Sequence, residues 1–269
     1  MHHSICKRDD VQIAYYVHGS GPALLGLSGF GCSHYNFIDL LPELTKKFKV
    51  ILIDNRATGM SSGTTKDYKM EDLAKDALAV MDELRIETFG LMGISMGGFI
   101  AQEITRIAPE RVKALSLMCT TSGRPAFVHP KKLTEQDLRQ MSIWDAKTMA
   151  EAMTKATVHP TLRKNNPAQY QRIMNLRLEN KMDLEEKIRQ NKAAVEFIDS
   201  QFDLTQIKCP TYITAGEEDR FLSSTFPGIF RSYIKQAIVE LIPETDHYFF
   251  LEKPQLVAQK LSEFFQGKI

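Results

Sequence analysis

The chain lacks several features that define large classes of protein. Nowhere do about 18 consecutive residues stay apolar, so no membrane-spanning helix is expected. The first ten residues lack the apolar stretch of a secretory signal peptide. The four cysteines, at positions 6, 32, 119 and 209, do not have the spacing of a zinc site or a disulfide framework. Isolated thiols favour a reducing compartment, and we expect a cytoplasmic location.

An excess of charge of either sign is also lacking. The 34 lysine and arginine residues nearly balance the 33 acidic residues, which gives a formal net charge of +1. Such a chain offers no strong electrostatic attraction for nucleic acid or an anionic membrane, and neither is an expected partner. The 269 residues, 43% of them hydrophobic, suffice for one large α/β domain with an insertion. We expect a monomer or homodimer.

The order of the apolar patterns predicts an α/β fold. Short apolar runs that suit buried strands alternate with segments whose apolar residues recur at helical spacing, as in residues 70–84. Such alternation is typical of a mostly parallel sheet covered by helices on both faces. The predicted strands include a hairpin of residues 4–7 and 11–18, followed by 23–27, 50–54, 112–119, 210–216 and 237–242.

The alternation stops between residues 122 and 205, where the pattern is helical throughout. We expect helices over 135–141, 145–157, 168–179 and 184–200, and no strand. An insertion of this kind in a sheet protein usually covers one end of the sheet as a cap. The predicted organisation is a first part of the core at 1–121, a helical cap at 122–205 and a second part of the core at 206–269.

The motif G-I-S-M-G at residues 93–97 points to a chemistry. An apolar run suited to a buried strand precedes it from residue 88, and the residues after it continue apolar at helical spacing. A strand, a tight turn with serine at its apex and a helix form a nucleophile elbow, in which strained dihedral angles expose the serine hydroxyl. The glycines let the strand and the helix approach closely. Ser95 is the predicted nucleophile.

A serine nucleophile requires a general base. Three histidines follow Ser95 in the chain, namely His129, His159 and His247. The first two belong to the predicted cap. His247 follows the predicted strand 237–242 by a short loop, at the edge of the sheet from which a loop can reach Ser95. We therefore predict His247 as the base.

The base in turn requires a carboxylate, expected in the loop after the preceding strand. Glu217, Glu218 and Asp219 stand there, directly after Gly216, at which the chain can turn. Asp219 is preferred because its carboxylate must reach the far nitrogen of the histidine, and the two glutamates are expected to be solvated. The end of the strand before the cap, an alternative place for the acid, has the sequence C-T-T-S at 119–122 and no carboxylate.

Two backbone N–H groups are predicted to form an oxyanion hole. One belongs to Met96, at the beginning of the helix after the serine. The other belongs to Phe30, in the loop after the strand 23–27. Gly29 and Gly31 flank Phe30 and let the backbone approach a substrate. Such donors stabilise the negative oxygen that forms during acyl transfer.

Together these residues resemble the α/β-hydrolase fold, in particular small capped esterases, enol-lactonases and cofactor-free haloperoxidases. The resemblance covers essentially the whole chain. Besides the serine motif it rests on D-N-R-A-T-G-M-S at 54–61, which is similar to the family's D-x-R-G-x-G-x-S. It rests also on the acidic loop at 216–219 and on His247 followed by E-K-P at 252–254.

Two positions depart from that pattern. Ser28 stands where the family usually has a histidine that braces the oxyanion loop, and we expect Ser28 to brace the loop differently. Ala57 replaces a glycine of the D-x-R-G-x-G-x-S loop, and a local change of the backbone is expected there.

The resemblance implies a serine hydrolase that cleaves a small or medium carboxylic ester or lactone. The reaction would pass through an acyl-enzyme on Ser95, with no metal or organic cofactor. Two alternatives stay open: a carbon–carbon bond hydrolase or lyase with the same triad, and a hydrolase-like receptor that binds a ligand without turnover. Epoxide hydrolases and haloalkane dehalogenases are disfavoured because they need an aspartate in place of this serine.

The substrate pocket is expected between the edge of the sheet and the cap. Arg124, at the entrance of the cap, or Arg177 could bind a substrate carboxylate, and a solvated arginine is the alternative for each. The residues predicted to line the pocket, apart from these arginines, are Gly29, Phe30, Met96 and Trp144.

Overall fold

A computed structural model describes residues 2–127, 132–223 and 225–269, so His129 lies outside the described residues. The described part contains a sheet of eight strands. In chain order the strands are β1 (Ser4–Arg8), β2 (Val11–His18), β3 (Ala23–Leu27), β4 (Lys49–Ile53), β5 (Phe89–Ile94), β6 (Val112–Met118), β7 (Thr211–Gly216) and β8 (Ile238–Ile242).

The spatial order of the strands is β1-β2-β4-β3-β5-β6-β7-β8. Strands β1 and β2 form an antiparallel hairpin, and β2 also runs antiparallel to β4. All other neighbouring strands are parallel. The mostly parallel sheet predicted from the sequence is confirmed, and the carboxyl ends of β3, β5, β7 and β8 meet at one edge.

Helices cover both faces of the sheet, and none of the described helices has the length and apolarity needed to cross a membrane. In chain order the α-helices are α1 (Leu41–Leu44), α2 (Met70–Glu83), α3 (Met96–Ile107), α4 (Glu135–Met141), α5 (Ala146–Thr157), α6 (Leu162–Asn165), α7 (Pro167–Glu179), α8 (Leu184–Asp199), α9 (Phe226–Tyr233), α10 (Phe249–Glu252) and α11 (Pro254–Phe265).

The sheet separates two hydrophobic cores. Successive strand residues point to opposite faces, so Leu25 joins the core beneath α2 and α3, whereas Leu24 joins the core beneath α1 and α11. All six residues of β5 are buried, because this strand lies inside the sheet with helices on both sides. The apolar runs of the sequence, without polar alternation, are the consequence of this double cover.

The segment between β6 and β7 contains α4, α5, α6, α7 and α8. Four of these helices lie within one residue of the predicted bounds. The fifth, α6, was not predicted, because a single turn is too short to show helical periodicity. The strand pairing described in this segment is an isolated bridge between Arg124 and Gln201. The division into a core and a cap stays a prediction.

Two features near the carboxyl terminus differ from the prediction. The apolar pattern of residues 223–233 predicts a helix there, whereas α9 begins at Phe226. Ser223 has φ 71°, a left-handed conformation that a right-handed helix cannot include. The short helix α10 was also not predicted, for the same reason as α6.

Ala57 is strained. Its φ of 60° lies in the left-handed region, which glycine adopts freely and which is unfavourable for a residue with a Cβ atom. Its N–H donates to the carbonyl oxygen of Ser62 at 3.0 Å, which closes the loop after β4. The alanine therefore takes a conformation suited to the glycine that it replaces, and the effect of the departure is local strain.

We predict that Ala57→Gly stabilises the protein. Relief of the left-handed strain should exceed the added chain entropy of the unfolded glycine, for a net gain of about 0.5–1 kcal/mol in the free energy of unfolding, measured with urea. As a control, Ala152→Gly in the middle of α5 should lower this free energy by about 0.5–1 kcal/mol. A loss of stability in both variants would contradict the proposed strain.

Candidate active site

Ser95 stands in the turn between β5 and α3, with φ 53° and ψ −119°. Such strain persists only where the surroundings enforce it. The backbone is closely packed here: a Cβ on Gly97 would lie 2.0 Å from the Leu27 carbonyl oxygen, and one on Gly93 would lie 2.5 Å from the Gly97 carbonyl oxygen. The sharp turn predicted for this motif is therefore present, with the serine at its apex.

The side chains of Ser95, His247 and Asp219 form a hydrogen-bonded row. Ser95 Oγ lies 3.2 Å from His247 Nε2, and His247 Nδ1 lies 2.9 Å from Asp219 Oδ2. Because a carboxylate can only accept, the proton belongs on Nδ1, which leaves Nε2 as the acceptor for the serine hydroxyl. This tautomer can take the proton of the hydroxyl. The structure thus brings the three predicted residues together.

Asp219 is buried in a site that favours its ionised form. Its Oδ1 accepts hydrogen bonds from the backbone N–H groups of Phe221 at 2.9 Å and Leu222 at 2.8 Å. Burial alone would raise the pKa of Asp219, but the imidazole of His247 and these N–H groups bring it below its ordinary value. The carboxylate is therefore charged at neutral pH and can orient the imidazole.

The loops that hold Asp219 and His247 are joined by Arg220 and Asp246. Asp246 is fully buried. Its Oδ1 accepts from the backbone N–H groups of Arg220 at 2.8 Å and His247 at 2.7 Å, and its Oδ2 accepts from Arg220 Nε. A Cβ on Gly216 would lie 2.2 Å from the Asp246 carbonyl oxygen, so this close approach requires glycine. These contacts fix the acid relative to the base.

The carboxyl end of α5 is attached to both loops. Arg220 Nη2 donates to the carbonyl oxygens of Lys155 at 3.0 Å and Val158 at 2.9 Å. The backbone N–H of Tyr248 donates to the carbonyl oxygen of Thr157 at 2.9 Å. A displacement of α5 would therefore break hydrogen bonds to the residues that follow Asp219 and His247.

Glu252 connects the same parts of the molecule. It is buried and accepts from the backbone N–H groups of Asp246 at 2.9 Å and His159 at 3.0 Å. Burial raises the pKa of Glu252 to about 7, although these two N–H groups act in the opposite direction. His159 Nε2 also lies 3.0 Å from a carboxylate oxygen of Glu218, so Glu218, expected to be solvated, has a partner.

The loop 28–33 lies against Ser95, since a Cβ on Gly29 would be 3.3 Å from the Ser95 Cβ. In residues 29–34 every backbone N–H except that of Phe30 donates to an acceptor in the described part of the chain. Met96 is the first residue of α3, and its N–H has no acceptor within the helix. The two N–H groups predicted for the oxyanion hole are thus ones that the fold leaves available.

Ser28 does not brace this loop, and the expectation for it was wrong. Its hydroxyl is buried without a hydrogen-bond partner among the described residues. The backbone is held by two asparagines instead: Asn55 Nδ2 donates to the Ser28 carbonyl oxygen at 3.2 Å, and Asn36 Oδ1 accepts from the Gly29 N–H at 3.1 Å.

The predicted pocket residues differ in their positions. Gly29 lies beside the serine, as described above. Trp144 is 44% exposed, and the half-exposed side chain of Arg124 lies 3.6 Å from Asp199. Neither observation supports a place of Trp144 or Arg124 in the pocket. Their assignment to the pocket stays a prediction. Arg177 packs over the ring of Tyr248, the residue after His247, at 4.1 Å from its centroid.

Sequence reasoning missed three residues beside the triad. Besides Arg220 and Asp246, Phe221 lies next to the base, with its ring centroid 4.8 Å from that of His247 although 53% of it is exposed. All three lie within two residues of Asp219 or His247 in the sequence, and that proximity is the signal by which they could have been found.

The cysteines form no disulfide. All four are free, and Cys6, Cys32 and Cys119 are buried. Burial raises the pKa of Cys6 to about 12 and that of Cys209 to about 11, which keeps these thiols protonated. Within the described ranges, no group of three or more His, Cys, Asp or Glu side chains is arranged to hold a metal ion.

Comparison with known proteins finds similarity over most of the chain. A family model described as alpha/beta hydrolase fold matches residues 22–254. An AB hydrolase superfamily protein of Bacillus subtilis is 29% identical, with 98% of this chain and 99% of the relative covered. The 2-hydroxy-6-oxononadienedioate/2-hydroxy-6-oxononatrienedioate hydrolase of Escherichia coli K12 is 30% identical, with 82% and 75% covered. A thermophilic esterase from Thermogutta terrifontis superposes with a TM-score of 0.83 at 22% identity, with 99% and 98% covered.

The raised pKa of Glu252 predicts a pH dependence of stability. Between its ordinary value of 4.5 and about 7, the folded protein binds this proton more tightly than the unfolded chain does. From this group alone, the free energy of unfolding should fall by up to about 3 kcal/mol as the pH rises through that interval. Glu252→Gln, which cannot ionise, should flatten the dependence in urea unfolding between pH 4.5 and 8.

The control for this prediction is Glu217→Gln, at an exposed glutamate of the same edge of the sheet. It should keep the pH dependence of the unaltered protein. An equal slope in the unaltered protein and in Glu252→Gln would show that Glu252 titrates normally.

Proposed function

Because the chain belongs to the family of the alpha/beta hydrolase fold, we propose that it is a serine hydrolase for a small or medium carboxylic ester or lactone. The main support is the row of Ser95, His247 and Asp219, which joins a nucleophile, a base and an orienting acid within hydrogen-bond distance. The strained turn that presents Ser95 adds to it.

In the proposed reaction Ser95 Oγ attacks the substrate carbonyl carbon, and His247 Nε2 accepts the hydroxyl proton. Asp219 stabilises the resulting imidazolium through Nδ1. The imidazolium then gives the proton to the leaving alkoxide oxygen as the ester bond breaks, which leaves the acyl group on Ser95. Water, deprotonated by His247, attacks this acyl-enzyme, and the carboxylic acid leaves with restoration of the serine hydroxyl.

The negative oxygen formed in each attack is assigned to the N–H groups of Phe30 and Met96. Met96 follows Ser95 in the chain, and the loop that contains Phe30 lies against Ser95. The Phe30 N–H has no acceptor among the described residues. Donors held in place before the reaction stabilise such an oxygen without a cost of reorganisation. The loss of one of them typically lowers the rate by about 10²–10³-fold.

Arg177 favours a substrate that has a carboxylate. The Nε of its guanidinium is buried and has no partner among the described residues, and Nη2 donates to Thr157 Oγ1 at 2.6 Å. No carboxylate of the described residues is paired with it, yet a buried charge is costly unless paired. The residue keeps some accessible surface. A carboxylate of the substrate would supply the missing partner.

This observation also supports a second candidate, a carbon–carbon bond hydrolase with the same triad. That reaction needs a polar anchor for its substrate in the segment 122–205, and Arg177 lies there. The similar protein from Escherichia coli K12 is named for dioate substrates, which have two carboxylates. Both candidates use the same nucleophile and base, and they differ in the bond that breaks.

Three further expectations belong to the proposal. We propose a cytoplasmic protein, active as a monomer or homodimer, that needs no cofactor for the steps above. The partner is a small molecule. A receptor that binds without turnover is the competing class, and the first experiment below separates it from a hydrolase.

We predict that a fluorophosphonate probe labels Ser95, as located by peptide mapping. Ser95→Ala should abolish the labelling and lower the turnover of p-nitrophenyl esters by at least about 10³-fold, because the nucleophile is lost. His247→Ala should be nearly as damaging, since the pair acts as a unit. Ser142→Ala, at an exposed serine after α4, is the control and should keep both properties.

Two outcomes would contradict the hydrolase proposal. One is a wild-type protein that the probe does not label, which would favour the receptor, and the other is unchanged ester turnover in Ser95→Ala. A chain-length series of the esters then defines the size of the acyl group. Full activity of His247→Ala would contradict the assignment of the base alone.

Arg177 is predicted to set a preference for anionic substrates. The kcat/KM of mono-p-nitrophenyl glutarate should exceed that of the neutral p-nitrophenyl pentanoate, and Arg177→Gln should reduce this ratio by about 10–100-fold through the loss of a charged hydrogen bond. Arg172→Gln, at an arginine of the same helix that pairs with Asp39, is the matched control and should leave the ratio unchanged. A ratio unaffected by Arg177→Gln would exclude the anchor.

A further inference from the structure

We propose that Asn180 and Gln190 position the loop 28–33, and with it the Phe30 N–H, for the reaction. Both side chains come from the segment between β6 and β7, far from the loop in the sequence. The inference rests on the proposed function, because it concerns a donor of the proposed oxyanion hole. It assigns to that segment a part in the chemistry beyond covering a pocket.

The two side chains hold both peptide groups of Gly31. Asn180 Nδ2 donates to the Gly31 carbonyl oxygen at 2.5 Å, and Gln190 Oε1 accepts from the Gly31 N–H at 2.6 Å. Asn180 Oδ1 also accepts from the Ser33 N–H at 2.9 Å. Gln190 is fully buried, so its hydrogen bond does not compete with solvent. Asn180 and Gln190 together are called the loop clamp below.

Apart from the loop clamp, this half of the loop is held by Cys32, whose Sγ lies 3.1 Å from Tyr35 Oη and 3.5 Å from Tyr248 Oη. Gly31 has φ 64°, and glycine is the residue with the greatest backbone freedom. At the other half, Asn55 and Asn36 hold the backbone of Ser28 and Gly29. The Phe30 N–H therefore lies between two anchored pieces of chain. If the loop clamp is removed, Gly31 loses both of its side-chain partners, and the next anchored residue is Cys32.

The position of this N–H matters for the transition state more than for substrate binding. A donor stabilises the oxyanion only if it already points to the place where the charge develops. A misplacement of about 1 Å can cost about 10²-fold in rate. Neither Asn180 nor Gln190 has to touch the substrate for this effect, so both are positioning residues. Their loss should lower kcat while KM changes little.

The loop clamp also connects the loop 28–33 to two helices. Asn180 follows α7 directly, and Gln190 lies within α8. Any movement of these helices away from the loop must break the three hydrogen bonds. The position of the loop 28–33, and hence of the Phe30 N–H, thus depends on the positions of α7 and α8.

The test compares Asn180→Ala and Gln190→Met with Asn175→Ala. The control removes an exposed side chain of α7 that bonds to Gln171 and lies outside the clamp. For each variant we measure kcat and KM with the best p-nitrophenyl ester, and hydrogen exchange of the peptide that contains residues 28–33 by mass spectrometry. Thermal melting checks that each variant is folded.

We expect kcat to fall by about 10–100-fold in both clamp variants, with KM within about twofold. The Gly31 amide should exchange faster in Gln190→Met and the Ser33 amide in Asn180→Ala, because each loses its acceptor. Asn175→Ala should match the wild type in every measurement. Unchanged exchange of the loop, or unchanged kcat, or a loss expressed mainly in KM, would each overturn the proposal.

The design separates this inference from the proposed function. Hydrogen exchange needs no catalysis, so it tests the loop clamp even if Ser95→Ala keeps full activity and the hydrolase proposal fails. If Ser95→Ala is inactive while the clamp variants keep wild-type kcat, the loop clamp alone is wrong.

Discussion

The candidate site depends on the close approach of backbone segments at the carboxyl edge of the parallel strands. Three glycines make this approach possible: Gly97 against Leu27, Gly216 against Asp246 and Gly29 against Ser95. At the first two, a Cβ atom would lie little more than 2 Å from a carbonyl oxygen, so a larger residue would force the loops apart. This packing fixes the positions of the loops that hold the triad. Such precision matters because acyl transfer is sensitive to displacements of about 1 Å.

Buried carboxylates then hold the loops in place. Asp246 accepts two backbone N–H groups and the Arg220 side chain, and Glu252 accepts two more N–H groups from separate loops. Asp54 likewise anchors the chain next to the loop 28–33, because its Oδ1 accepts a hydrogen bond from the His34 N–H. Burying a charge is costly, and these hydrogen bonds offset part of that cost; for Glu252 burial still raises the pKa to about 7. The loops around the site are thus anchored by polar groups that do not contact the serine.

The sequence predicts those parts of the site that have a local signature. The strand, turn and helix around Ser95 can be recognised within about a dozen residues, and His247 and Asp219 follow from chain order relative to strands that are themselves recognisable. Contacts between distant segments have no such signature, and so the bonds from Asn180 to the loop 28–33 were not foreseen. The place of Trp144 in the pocket stays a prediction, because the exposure of an aromatic residue, 44% here, depends on packing that the sequence pattern does not encode.

The departure at Ser28 shows how this chain can keep an ordered loop without the family's usual histidine. A serine is too short to reach across the loop, and its hydroxyl is left without a partner among the described residues. Asparagines of the core hold one half, and the loop clamp holds the other. Asn180 stands three residues after Arg177, so the proposed oxyanion donor and the proposed carboxylate anchor share one support at the end of α7. In such an arrangement, a change in α7 alters substrate choice and transition-state stabilisation together.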